Sequence, residues 1–165
     1  MTIDIEQLPY RPCAGIMLVN KDGMVFVGSR VDMPSDAWQM PQGGIDDGEE
    51  PIDAALRELY EETGVPADKA RIVGQSANWI PYDLPVDIIP RLWGGRYRGQ
   101  TQMWFLIEFL GTDADIDLDV HHREFGAWRW ATPEQLPDLI VKFKSDLYAR
   151  ILDEFRPLLT ELRQA

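Results

Sequence analysis

Apolar residues recur along this chain at two spacings, and the switch between them lays out the expected elements. From Cys13 to Val19 the run CAGIMLV is unbroken, and after Asn20-Lys21-Asp22-Gly23 a second apolar segment covers Met24 to Val27. This predicts two strands joined by a tight turn, with the Asp-Gly pair supplying the positive φ that such turns need. A polar loop over 31–37 leads to Trp38-Gln39-Met40, read as a short strand. From Pro51 to Thr63 the period becomes helical, with Ile52, Ala55, Leu56, Leu59 and Thr63 on one face. Pro51 suits the first turn because its missing N–H has no intrahelical partner there, and Gly64 is expected to end the helix as a left-handed cap.

Residues 71–82 are interrupted by Gly74-Gln75-Ser76 and read as one bent strand or two short ones. Gln100 to Phe109 alternates: Thr101, Met103, Phe105, Ile107 and Phe109 lie on one side, Trp104 and Leu106 on the other. Both faces are largely apolar, so this strand is expected at the centre of a sheet. Gly111 to Asp119 carries four aspartates but lacks the mid-loop glycine and terminal glutamate of a calcium loop, and reads as a solvated turn. Another strand is expected over Gly126 to Trp130, preceded by His121 and His122, which read as surface residues. Thr132-Pro133-Glu134-Gln135 is a capping-box start. A second helix is expected from about Asp138 to Phe155, on the repeat of Leu139, Ile140, Phe143, Leu147, Ile151, Leu152 and Phe155, with Pro157 kinking or ending it.

Composition narrows the class. The 165 residues read as one domain over 1–165, with a short arm over 1–9 and a tail after Pro157. The single cysteine, Cys13, excludes an internal disulfide, fits a reducing compartment and reads as a buried structural thiol. No apolar run approaches transmembrane length, and MTIDIEQLPY has no basic residue or hydrophobic segment, so a cytoplasmic monomer without membrane contact is expected. A net charge of −12 excludes an extended nucleic-acid surface, which needs clustered Lys and Arg. A polyanionic substrate must then be held locally, by metal ions and a few arginines. One candidate patch is the loop from Arg91 to Gly99, which has no acid and interleaves Arg91, Arg96 and Arg98 with Trp93 and Tyr97. It reads either as a solvated loop or as a site for phosphate and stacking.

The strongest chemical signal lies on the first helix. Glu58, Glu61 and Glu62 fall at i, i+3 and i+4, one turn of stacked carboxylates with no lysine on that face. Like charges so placed each cost a few tenths of a kcal/mol, so something positive is expected beside them. Hard oxygen ligands next to a loop carbonyl suit Mg²⁺ or Mn²⁺, which bridge to substrate phosphates. Three glutamates alone would read as a solvated acidic face. The frame around them separates the readings: Gly43, Glu49, Arg57-Glu58, Glu61-Glu62 and Gly64-Val65 fill G-x5-E-x7-R-E-U-x-E-E-x-G-U, with U apolar.

That frame resembles the Nudix box, the signature of hydrolases that cut a nucleoside diphosphate linked to another group. The resemblance implies an α/β fold of the α+β sandwich type, a mixed sheet packed between helices. It further implies that Glu58, Glu61 and Glu62 ligate metal with the Gly43 carbonyl, and that Glu49 and Arg57 are a structural pair. Tyr10-Arg11-Pro12, Trp38-Gln39-Met40-Pro41-Gln42-Gly43-Gly44, Gly99-Gln100-x-Gln102-x-Trp104-Phe105, Glu124-Phe125-x-x-Trp128-Arg129-Trp130 and Val141-Lys142-Phe143-Lys144 extend the likeness. Together they resemble the bacterial RNA pyrophosphohydrolases and the asymmetrically cleaving dinucleoside tetraphosphate hydrolases.

By that likeness Glu124 is a further metal ligand or the base, Arg11 and Gln42 contact substrate, and Arg30, Val141 and Lys144 frame a nucleobase. Met103 stands where the family often has lysine, so a phosphate contact is expected to be lost or moved to Arg96 or Arg98. The implied activity is Mg²⁺-dependent (or Mn²⁺-dependent) attack of water on a 5′-polyphosphate, with Glu62 or Glu124 as base and Glu61 essential. The preferred substrate is the triphosphorylated 5′ end of RNA. The alternatives are hydrolysis of diadenosine tetraphosphate to ATP and AMP, and a non-catalytic sensor of nucleotides or RNA 5′ ends.

Overall fold

The computed structural model describes residues 4–32 and 36–164. Strand β1 (Tyr10–Val19) and strand β6 (Gly99–Phe109) run parallel in continuous register from Tyr10↔Gly99 to Val19↔Glu108. Around them stand β2 (Val25–Arg30), β3 (Gln42–Gly44), β4 (Ala70–Gln75), β5 (Ile80–Asp83) and β7 (Phe125–Ala131), all joined by antiparallel pairings. The order is β4-β6-β1-β2-β7, with β3 added to β1 and β5 to β6. Residues 71–82 thus resolve into two short strands, and β6 is central as its two-sided apolar pattern predicts.

Alternation along β1 and β6 feeds two cores. Met17, Trp104 and Leu106 pack beneath helix α3 (Ser145–Gln164), which contributes Tyr148, Ile151, Leu152 and Phe155. Ile16, Met103, Phe105 and Ile107 pack on the opposite face beneath helix α1 (Pro51–Thr63), which contributes Ala54, Ala55 and Leu59. The fold is therefore the expected mixed sheet between helices. Among the described residues no helix is long and apolar enough to cross a membrane.

Three expectations need correction. The short strand is Gln42–Gly44, not Trp38-Gln39-Met40; of the latter only Gln39 forms an isolated bridge, to Gly28. The cause lies in β1, whose pairing with β2 is registered at Val19↔Val25 alone. The backbone of Cys13, Ala14 and Gly15 needs other partners, and takes Gly44, Gly43 and Gln42. The polar loop over 31–37 is described only at its ends, since 33–35 lie outside the described residues, as do 1–3 of the N-terminal arm.

The C-terminal helix is also divided. The capping box forms, Thr132 N–H donating to Gln135 Oε1 at 3.1 Å, and leads into a short helix α2 (Leu136–Leu139). Ile140 and Val141 are then extended, and α3 begins only at Ser145. Carbonyls that would carry one continuous helix are taken elsewhere: Leu139 accepts from Trp38 N–H at 2.8 Å, and Pro137 from Ser145 Oγ at 2.8 Å. Nor does Pro157 end the helix, which runs to Gln164. Proline there costs roughly 3 kcal/mol, but Leu159 is buried beyond it and Leu158 and Leu162 pack on the same core. Each such side chain returns about 1.5–3 kcal/mol on full burial.

Gly15 marks the tightest packing between the central strands: a Cβ built there meets the Trp104 ring at 2.5 Å. Gly15→Ala is expected to destabilise the fold by about 1–3 kcal/mol through overpacking. Urea denaturation checks this, and an unchanged midpoint would show that the indole has room to move.

Candidate active site

Helix α1 is fixed at both ends before any charge is considered. Pro51 fills its first turn, Glu50 precedes it in extended conformation, and Gly64 closes it at φ 77° with its N–H on the Tyr60 carbonyl. With Ala54, Ala55 and Leu59 against the sheet, the helical period sends Glu58 and Glu62 inward as well. Glu58 is 8% and Glu62 1% exposed, whereas Glu61 is only partly buried. The three carboxylates therefore sit at different depths rather than on one exposed ridge.

No lysine lies on that face, but Arg57 reaches the carboxylates beside it. Its Nε and Nη2 each donate to Glu49 at 2.9 Å, its Nη1 donates to Glu58 at 2.8 Å and to Glu61 at 3.4 Å, and Nη2 also reaches the Gly44 carbonyl at 2.9 Å. Arg57 thus ties loop, strand β3 and helix into one unit. The guanidinium, helped by the Asp46 N–H, holds the Glu49 carboxyl down at about 2. Burial pushes Glu58 up, with Arg57 opposing. Gly43 lies against the Glu58 carboxylate so closely that a Cβ would overlap it, which is why the chain has glycine there.

Glu62 has no such neighbour. Neither carboxylate oxygen has a hydrogen-bond partner, and both are buried. Desolvation raises its pKa well above the ordinary carboxylate range; Glu124 and Glu58 push the same way and Arg30 weakly opposes. Glu124 is placed by a backbone bond from Val31 N–H to its carbonyl, 2.9 Å, next to an irregularity in the β2–β7 register at Ser29/Arg30. Arg30 stands between two acids: Asp32 takes its Nε at 2.9 Å and Nη2 at 2.8 Å, while Nη1 lies 3.9 Å from Glu124.

Among the described residues no three His, Cys, Asp or Glu side chains close on a point as a ready-made metal cage. The donor set nonetheless fits a hard cation. Mg²⁺ keeps several waters and binds through one or two carboxylates plus phosphate oxygens, and the unpartnered oxygens of Glu62 are donors of that kind.

On the other face of β1 and β3 lies a second set of groups. Arg11 makes no ion pair among the described residues and lies over the Trp93 ring at 5.1 Å. Lys144 Nζ sits 5.3 Å from the Tyr82 ring centroid and 5.7 Å from that of Phe143. Burial, with Arg30's charge, pushes the Lys144 ammonium down to about 8. Val141 is extended and packs on the adjoining core, and Gln42 Oε1 is buried without a partner. Cys13 is buried beside Arg11, and desolvation raises its thiol to about 11.

Two candidates do not join either group. Arg98 is engaged by Asp83 at 2.8 Å and by the Tyr10 ring at 4.8 Å, and exposed Arg96 bonds the Trp93 carbonyl at 3.1 Å. Met103 is buried in the α1-side core, where its sulfur accepts from Ser76 Oγ at 3.2 Å. His121 and His122 are exposed, as expected. Sequence reasoning missed Asp32, which gives no local signal. It also missed the buried relay in which Trp104 Nε1 donates to Gln102 Oε1 at 2.6 Å and Gln102 Nε2 to Gln100 Oε1 at 2.7 Å. Two glutamines at period-two spacing in an apolar strand were the available clue.

Comparison with known proteins identifies relatives of the whole chain. Proteins called RNA pyrophosphohydrolase match over nearly the full length of both chains. That of Novosphingobium aromaticivorans is 60% identical over 154 residues, covering 92% of this chain and 96% of the other. That of Roseobacter denitrificans is 55% identical over 152 residues, covering 92% and 95%. Among solved structures, a C. elegans Ap4A hydrolase binary complex superposes with a TM-score of 0.66 at 19% identity, covering 92% of this chain and 98% of that one. The E. coli dihydroneopterin triphosphate pyrophosphohydrolase gives 0.66 at 21% identity, covering 85% and 94%. At such identities the structures attest the fold alone. Residues 9–151 match the family described as NUDIX domain, and with the relatives above this places the chain in the Nudix family.

Proposed function

We propose that this chain is a divalent-metal-dependent RNA pyrophosphohydrolase, a single cytoplasmic domain acting as a monomer on the 5′-triphosphate end of RNA. The observation that carries the chemistry is Glu62, a buried carboxylate with two unpartnered oxygens facing Glu124 and Glu58. Near-full-length identity to relatives named for this activity supports the substrate.

Glu58, Glu61, Glu62 and Glu124, with the Gly43 carbonyl, would hold Mg²⁺ or Mn²⁺. When bound, the cation polarises phosphate oxygens, lowers the pKa of water and neutralises the leaving pyrophosphate. Glu62 or Glu124 takes the proton of the attacking water as a P–O bond forms and the bond to the leaving pyrophosphate breaks, leaving a 5′-monophosphate. Arg11 receives a phosphate, for which its lack of an ion pair leaves it available. Arg30, Val141 and Lys144 flank a nucleobase, and Gln42 offers an acceptor to it or to its ribose. Arg98, tied to Asp83, is not assigned to phosphate. Arg57 and Glu49 keep the loop on the helix.

Three substrates offered side by side with Mg²⁺ test the reading: triphosphorylated RNA, diadenosine tetraphosphate and ADP-ribose. RNA is expected to be preferred, with 5′-monophosphate RNA as product; preferred conversion of the dinucleotide to ATP and AMP would assign the alternative, and binding without product the sensor. Glu62→Gln is expected to lower kcat about 10²- to 10⁴-fold with the fold intact, the range of a general base. Since Lys144 loses its proton near pH 8, its attraction for an anionic substrate is full below that pH and lost above it. KM is accordingly expected to rise through pH 8 in the wild type and not in Lys144→Met, as a KM–pH profile checks.

A further inference from the structure

The loop between β5 and β6 is bent in an unusual way. Trp93, Gly94 and Gly95 have φ of 48°, 67° and 72°, and Trp93 is the only non-glycine residue with positive φ among the described residues. A bulky side chain on left-handed backbone is strained, and such strain persists only where its surroundings hold it. Here the Gly95 N–H donates to the Leu92 carbonyl at 2.9 Å, and Arg96 Nε donates to the Trp93 carbonyl at 3.1 Å. Tyr97 stands edge-on to the indole, with centroids 5.9 Å apart at 82°.

The strained position sets the indole on Arg11, whose guanidinium carbon lies 5.1 Å from the ring centroid. Gly44 is packed equally tightly on that guanidinium, since a Cβ on Gly44 would overlap Nη2. The Arg11 head group is therefore bounded by an aromatic ring and by the backbone of the Gly-Gly strand, whose carbonyl Arg57 anchors at 2.9 Å. Among the described residues its one hydrogen bond is the long contact to Cys13 Sγ at 3.8 Å. A guanidinium held by stacking keeps its N–H fork for a planar or tetrahedral anion, and the ring orients it without consuming a donor.

We infer that Trp93 is a positioning residue that acts through Arg11, fixing the guanidinium as a phosphate clamp on the face of β3 opposite Glu58. The inference rests on the proposed polyphosphate chemistry but concerns a different group from the carboxylates. Because the clamp is built before substrate arrives, the side-chain ordering that phosphate would otherwise impose on Arg11 is already complete.

Calorimetric titration of the full chain with tripolyphosphate and Mg²⁺ tests it in wild type, Trp93→Ala, Trp93→Phe, Arg11→Ala and the Arg11→Ala/Trp93→Ala double variant. Trp93→Ala is expected to weaken binding about ten-fold, Trp93→Phe to restore most of it, and Trp93→Ala to add nothing once Arg11 is gone. On triphosphorylated RNA, Trp93→Ala is expected to raise KM far more than it lowers kcat. Unchanged affinity in Trp93→Ala, effects that add in the double variant, or no binding by the wild type would each overturn the inference. Wild-type binding with the expected pattern but without RNA turnover would instead overturn the proposed function and leave the clamp standing. Thermal melts establish that every variant is folded.

Discussion

A carboxylate that is 1% exposed, with no donor on either oxygen and two more carboxylates nearby, is expensive in a folded protein. The effective penalty for burying such an ion is several kcal/mol. Glu62 is in that position because α1 lays Ala55 and Leu59 on the sheet and the helical repeat carries Glu58 and Glu62 inward with them. Among the described residues no cation compensates it as Arg57 compensates Glu49 and Glu58, since Arg30 is held by Asp32. The apolar residues that build the core and the inward carboxylates are thus inseparable on this helix.

Arg57 makes the arrangement geometrically possible. By bonding Glu49, Glu58 and the Gly44 carbonyl at once, it fixes the approach of β3 to the helix, and the two glycines permit that approach on opposite faces. Gly43 opens toward Glu58 and Gly44 toward Arg11. A single short strand thereby separates the acidic groups on the α1 side from the Arg11 guanidinium, a local positive group in a chain of net charge −12.

Much of this was legible in the sequence. The caps at Pro51 and Gly64 and the period between them defined α1, and the fixed spacing of Glu49, Arg57, Glu58, Glu61 and Glu62 identified the family. The depth of each carboxylate was not legible, because periodicity assigns a direction around the helix and not a distance from solvent. Arg57 was read as a structural partner of Glu49, but its bonds to Glu58 and Glu61 were not legible, because they depend on how its long side chain wraps back across the carboxylates. Strand β3 was missed because Gln-Gly-Gly has no apolar pattern and pairs only because β1 leaves backbone groups open. The break at Ile140 and Val141 was hidden by an unbroken helical spacing, and is imposed by hydrogen bonds from Trp38 and Ser145 that only the tertiary structure supplies.

If the buried Glu62 carboxylate is tolerated for the sake of a divalent cation, thermal unfolding with and without Mg²⁺ or Mn²⁺ shows it directly. A ligand that binds only the folded state raises Tm, so the cation is expected to stabilise the wild type. Metal-free Glu62→Gln is expected to melt above the metal-free wild type, because a buried charge has been removed, and to gain much less from the cation. A wild type whose Tm ignores both ions, together with a Glu62→Gln variant that melts lower, would contradict the account.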